Sequence, residues 1–197
     1  MSPKQFIQAY SVCTTVFSSV DLATLNGDSP RWAAADDASA KWLADKKHIL
    51  ARPLALETLD PNVEHYAGMV VPDGDGFYFE PRNLKIRSFL EYFVKFRKPV
   101  CLIGAGAAAL FSTEPDPGEQ WLLRKYSLTA PSNLSAVRHN KYLTHRSIED
   151  FIVDMYGRYS TGKNESVHIV VDDNLVTAQS KACTLIAIQT FILLCNR

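Results

Sequence analysis

The chain has 197 residues, with 21 Lys and Arg against 21 Asp and Glu, and is 47% hydrophobic and 21% charged. That balance fits a globular domain with enough chain to bury one core, and it excludes a strongly basic nucleic-acid binder or a polybasic membrane protein. The longest apolar stretch, Ala182 to Cys195, is interrupted by Thr184, Gln189 and Thr190 and falls short of the roughly 20 residues of a membrane span.

Taken in chain order, the pattern predicts an amphipathic helix over Phe6 to Val16, a strand over Ser19 to Thr24 ending in the Asn26-Gly27 turn, and a helix over Ala34 to Lys47. A strand from Tyr66 to Val71 is stopped by Pro72 and the Asp73-Gly74-Asp75-Gly76 turn. Leu84, Ile86, Phe89, Leu90 and Phe93 repeat with a helical period over Leu84 to Phe96. Pro99 to Ile103 is a wholly apolar strand, as expected of a buried parallel position, and Gly104 to Phe111 turns at once into a helix. A short strand over Arg124 to Leu128 and a helix over Ile148 to Met155 follow. Val167 to Val171 and Leu175 to Ala178 flank Asp172-Asp173-Asn174 as a hairpin, and an apolar helix runs from Ser180 to about Leu194. Strands alternating with helices predict an α/β fold with a mostly parallel sheet.

The segment from Pro99 to Leu110 carries the most chemical information. Gly104, Gly106 and Ala109 fit the dinucleotide pattern G-x-G-x-x-[GA], where small residues let a pyrophosphate approach a helix N-terminus. The acidic residue that pattern needs ~20 positions on is missing: Arg124, Lys125 and Tyr126 stand there, basic residues that suit a 2′-phosphate. The same strand-to-helix turn also fits a nucleophile elbow, yet the elbow residue is Gly104, which has no nucleophile, and Cys101 lies inside the strand. A third reading is a glycine turn that lets helix and sheet pack closely. These leave Gly104, Gly106 and Ala109 as the candidates for cofactor binding.

Other candidates read as structural. Asp73-Gly74-Asp75-Gly76 lacks the third acid and terminal Glu of a calcium loop. The cysteines Cys13, Cys101, Cys183 and Cys195 show no C-x-x-C and no histidine at zinc spacing. They are expected as core residues of a protein in the reducing cytosol, and Gln5, Gln8 and Ser11 break up any secretory leader. Asn133-Leu-Ser135 and Asn164-Glu-Ser166 match the glycosylation sequon by chance. Arg138, His139, Lys141, Tyr142, His145 and Arg146 form the one basic cluster, read as a solvated surface on a neutral chain. His48, His65 and His168 have no partners at ligand spacing, and His168 is expected as a satisfied sheet residue.

KPVCLIGAGAAAL (Lys98 to Leu110), YSLTAPS (Tyr126 to Ser132) and VHIVVDDNLVTAQ (Val167 to Gln179), in this order and spacing, resemble the PfpI-type branch of the class I glutamine amidotransferase-like superfamily. Similarity in Phe17 to Asp28 and Glu57 to Pro72 extends the resemblance over nearly the whole chain. It implies a flavodoxin-like three-layer sandwich, one domain over residues 1–197. In catalytic members the elbow carries a Cys where this chain has Gly104, and a partner His where it has Ala130. The acidic residue that polarises that Cys follows a first strand with no counterpart here, because Met1-Ser2-Pro3 leads straight into the first helix. The resemblance thus implies an N-terminally shortened pseudoenzyme without catalytic residues, cofactor or metal. Its sheet would lack a central strand, and restoring the strand would raise the urea midpoint.

The resemblance further implies protein partners, since a vertebrate member of the family is a component of the FERRY complex, a Rab effector assembly on early endosomes that links messenger RNA to transport. The expectation is a cytoplasmic, early-endosomal subunit in a multi-subunit complex, associated with membranes through its partners and without direct nucleic-acid contact. The alternatives are a hydrolase or lyase of the superfamily with a relocated nucleophile, Cys101 or Ser127 being the nearby candidates, and a nucleotide binder at Gly104 to Ala109.

Overall fold

The computed structural model describes residues 1–60, 65–134, 146–163 and 166–196. Its centre is a four-stranded sheet in the order β3 (Met69–Val71), β4 (Val100–Ile103), β8 (Leu175–Ala178), β7 (Ile169–Asp172). β3, β4 and β8 run parallel, and β7 returns antiparallel beside β8. The hairpin turn has Asp173 in the left-handed region at φ 56°, a conformation that Asp and Asn accept in two-residue turns.

β4 explains the layering. All four of its residues are 0% exposed, and side chains alternate across a strand. Val100 and Leu102 enter one core, with Leu175 of β8, while Cys101 and Ile103 enter the other, with Val176 and Ala178. The first core is closed by α5 (Leu84–Lys95), α6 (Ile148–Asp154) and the 3-10 helix Gly104–Thr113. The second is closed by α1 (Pro3–Val16) and α7 (Thr184–Cys195). Helices on both faces of a parallel sheet make the expected flavodoxin-like sandwich.

The helices form where local signals agree. Asn83 accepts the N–H groups of Lys85 and Ile86 and starts α5, whose Ile86, Phe89, Leu90, Phe93 and Val94 form the buried stripe. Ser147 caps α6 by accepting the Asp150 N–H at 2.9 Å. In α7, Thr184, Ala187, Ile188 and Phe191 face inward at helical spacing. Among the described residues no helix is long and apolar enough to cross a membrane.

Boundaries differ from the expectation at several points. The helix expected from Ala34 starts at Asp37, because the Asp36 carboxylate accepts the Ser39 N–H at 2.7 Å; it ends at Asp45 as α2, and α3 (Lys47–Leu50) follows separately. The strand expected from Ser19 narrows to β1 (Ala23–Thr24), paired with β2 (Leu54–Ala55). That from Arg124 narrows to β5 (Ser127–Leu128), because turn bonds from Arg124 to Trp121 and from Tyr126 to Leu123 coil the preceding residues. A short helix, α4 (Gly76–Phe79), and a strand, β6 (Arg158–Tyr159) beside β5, were not expected. Among the described residues, β1 and β2 form a pair separate from the main sheet, and β3 has a strand partner on one side only.

Candidate functional site

In α/β sheets, ligands and catalysis gather beyond the carboxyl ends of the parallel strands. Here that edge brings together Pro72 and Asp73 after β3, Gly104 after β4, and Gln179 to Lys181 after β8. Gly104 has φ +53°, so β4 passes into the 3-10 helix through a left-handed residue, the sharp turn of a nucleophile elbow.

The space a nucleophile would need is occupied. A Cβ built on Gly104 would lie 2.3 Å from Asp73 Oδ1 and 3.3 Å from the Lys181 nitrogen. Asp73 Oδ1 instead accepts the Ala105 N–H at 2.9 Å. A carboxylate on the first turn of the helix satisfies a donor that has no partner inside it. Gly106 is required for a separate reason, since its Cβ would sit 2.3 Å from the Pro72 carbonyl oxygen. Gly104, Gly106 and Ala109 are all buried in one helix, as the sequence places them. A pyrophosphate at this N-terminus would face the Asp73 carboxylate, so the geometry favours the packing reading of these three residues.

The remaining catalytic candidates fall elsewhere. Cys101 is 0% exposed, and burial pushes its thiol far above the usual range, away from the thiolate that a nucleophile needs. Ser127 lies toward the opposite edge of the sheet, where its N–H donates to Asp172 Oδ2 at 2.7 Å. Ala130 is 0% exposed and contributes only its carbonyl, which accepts the Tyr159 hydroxyl at 3.1 Å. Asp75 begins α4, and among the described residues no three His, Cys, Asp or Glu side chains group as metal ligands.

One pairing was not foreseen. His168 Nε2 lies 3.1 Å from Ser160 Oγ, with Ser160 at the end of β6 and His168 just before β7. Sequence spacing gives no sign of it, because two different strands bring the residues together. Asn164 and the basic cluster from Arg138 to His145 lie outside the described residues; Arg146 is described and pairs with Asp154 and Glu114.

No protein-family model matches the chain. It is similar to glutamine amidotransferase-like class 1 domain-containing protein 1 of Danio rerio, 32% identical over 199 residues that cover 100% of this chain and 91% of the relative. The protein of that name from Homo sapiens is 29% identical over 200 residues, covering 100% of this chain and 89% of the relative. Among solved structures, Rapid Encystment Protein 24 KDa of Francisella tularensis superposes with a TM-score of 0.83 at 19% identity, over 97% of this chain and 88% of that one. A ThiJ/PfpI domain protein of Brachyspira murdochii superposes with a TM-score of 0.66 at 13% identity, over 99% and 90%. The elbow turn, the two-faced parallel sheet and the full-length identity converge: the chain belongs to the family of glutamine amidotransferase-like class 1 domain-containing protein 1.

Proposed function

We propose that this chain is a non-catalytic amidotransferase-like domain that serves as a protein-binding subunit of a larger assembly. One observation carries the reading: the Asp73 carboxylate stands where a side chain on residue 104 would project, and holds the Ala105 N–H. The elbow is thereby used as a packing joint. Ala130, buried at the place of the partner histidine, supports the same reading. The family resemblance extends the proposal to the FERRY Rab effector complex on early endosomes. Equal numbers of acidic and basic residues favour contact with proteins over direct contact with RNA.

The test is recovery of the tagged chain from cells of its own organism, followed by mass spectrometry. A stoichiometric set of partners that includes endosomal Rab-effector subunits is the expected result. A well-folded chain recovered alone would overturn the proposal.

A second reading, a hydrolase with a relocated nucleophile, is favoured by the Ser160–His168 contact at 3.1 Å, within the reach a general base needs to activate a hydroxyl. Labelling of Ser160 by a fluorophosphonate, abolished by His168→Ala, would support it. An unlabelled Ser160 would remove it.

A further inference from the structure

At the far end of the 3-10 helix from Gly104, a cavity of about 160 Å³ opens between α4, α6 and the residue after the helix, Glu114. Its inner wall is aromatic. Tyr78, Phe111 and Phe151 are 7%, 6% and 1% exposed. Phe111 meets Tyr78 and Phe151 edge-on, with ring centroids 5.8 and 5.2 Å apart. A cavity of roughly 150 Å³ with apolar walls holds one benzene ring, so the volume suits a single aromatic group.

The mouth is charged. Arg82 donates to Glu114 Oε2 at 2.8 Å, and Arg146 lies 3.5 Å from Glu114 Oε1 with its guanidinium 5.1 Å from the centre of the Phe151 ring. Among the described residues the lining carries two guanidinium groups, Arg82 and Arg146, and one carboxylate, Glu114. Asp154, outside the lining, is a second partner of Arg146. Arg82 is different: its side chain is 78% exposed, and among the described residues its one ion pair is with Glu114. A guanidinium has five N–H donors, so most of the Arg82 fork remains available for a planar carboxylate.

The pair Arg82–Glu114 also borders a neighbouring cavity of about 430 Å³, lined by Leu84, Arg87 and Ser112. Ser112 is 4% exposed, and among the described residues its hydroxyl has no hydrogen-bond partner. Glu114 disfavours a dianion, whereas the remaining Arg82 donors suit a single carboxylate. We infer that this pocket binds an aromatic carboxylate, with the ring against Tyr78, Phe111 and Phe151 and the carboxylate on Arg82. Such a group is carried by a free aryl-alkanoic acid or by a polypeptide that ends in phenylalanine.

The test is an NMR titration of the full chain with 3-phenylpropionate, the neutral 3-phenylpropan-1-ol and propionate. Saturable binding of the acid, about tenfold tighter than the alcohol as expected for a charge-assisted contact, and no binding of propionate are the expected results. Arg82→Gln, an exposed change that leaves the core untouched, should reduce the acid to the level of the alcohol and leave the alcohol unchanged. Acid and alcohol binding equally, no saturation by the acid, or an acid affinity indifferent to Arg82→Gln would each overturn the inference. The peptide Gly-Gly-Phe separates the two sources. Binding of its free carboxylate form but not its amide assigns a polypeptide C-terminus, and binding of 3-phenylpropionate with both peptides excluded assigns a small acid.

Discussion

Asp73 and Ala105 are joined across two strand ends by a 2.9 Å hydrogen bond from the Ala105 N–H to Asp73 Oδ1. This contact fixes what position 104 can be. Any side chain there takes a left-handed backbone at φ +53° and meets the carboxylate at 2.3 Å. Introducing a thiol here as Gly104→Cys should therefore destabilise the protein. Left-handed backbone costs a non-glycine residue roughly 1–3 kcal/mol, and displacing Asp73 forfeits a hydrogen bond of about 1–3 kcal/mol. Urea denaturation should show a lower midpoint for Gly104→Cys. The double variant with Asp73→Ala should recover the part due to overlap and keep the part due to backbone. A single variant as stable as the parent would contradict this.

The layers were legible in the sequence because β4, α5 and the β7–β8 hairpin each carry several agreeing signals. β4 is an unbroken apolar run, α5 combines the Asn83 cap with an apolar stripe, and the hairpin has Asp173 at its turn. β2 and β6 were not legible, because two residues cannot display a period of two. Within the site, Gly104 and Ala130 could be named from the family pattern. The filling of the elbow by Asp73 could not, since a residue in a D-G-D-G turn advertises only its turn chemistry. Its partner Ala105 lies 32 positions away and contributes a backbone group, which sequence never displays.

Thr129 and Thr177 offer a pair of substitutions with opposite expected signs. Both are 0% exposed, and Thr177 Oγ1 accepts the Thr129 N–H at 2.9 Å, while Thr129 Oγ1 has no partner among the described residues. Thr177→Val keeps the shape but strands a buried N–H, which should cost about 1–3 kcal/mol. Thr129→Val removes a hydroxyl that burial already penalises, so its stability should equal or exceed that of the parent. Urea midpoints of the two variants test this directly, and equal losses in both would refute it.

The buried thiols should make the fold sensitive to alkali. Burial raises the titration range of Cys13, pushes Cys195 up to about 12 and carries Cys101 further still. Burial and the hydrogen bond to Asp21 raise the Tyr66 phenol to about 12. In the unfolded chain a thiol ionises near about 8.5. Above that pH the unfolded state loses protons that the folded state retains, so stability present at neutral pH is progressively lost as pH rises toward the folded values. Urea midpoints should be level between pH 6.5 and 8 and fall from pH 8.5 to 10.5, while native Cys101 resists alkylation until the protein unfolds. A midpoint constant to pH 10.5 would show that the thiols are not held out of water.

Asn174 ties the hairpin to the end of α5. It is 4% exposed, and its Nδ2 donates to the Lys98 carbonyl at 2.7 Å and the Phe93 carbonyl at 3.2 Å, while its backbone carbonyl accepts the Val100 N–H at 2.9 Å. Asn174→Ala removes both side-chain donors and should cost about 1–3 kcal/mol. Asn174→Asp keeps the volume but sets a carboxylate against two carbonyl oxygens, so its loss should exceed that of the alanine at neutral pH. Repulsion and burial would raise the folded-state ionisation of that new carboxyl above the unfolded value of about 3.9. Its deficit must then shrink as pH falls through the raised folded value, because the protonated acid can donate one of the lost bonds. Urea denaturation at pH 7 and pH 4.5 reads this directly, and a deficit for Asn174→Asp independent of pH would show that the Asn174 donors do not hold these carbonyls.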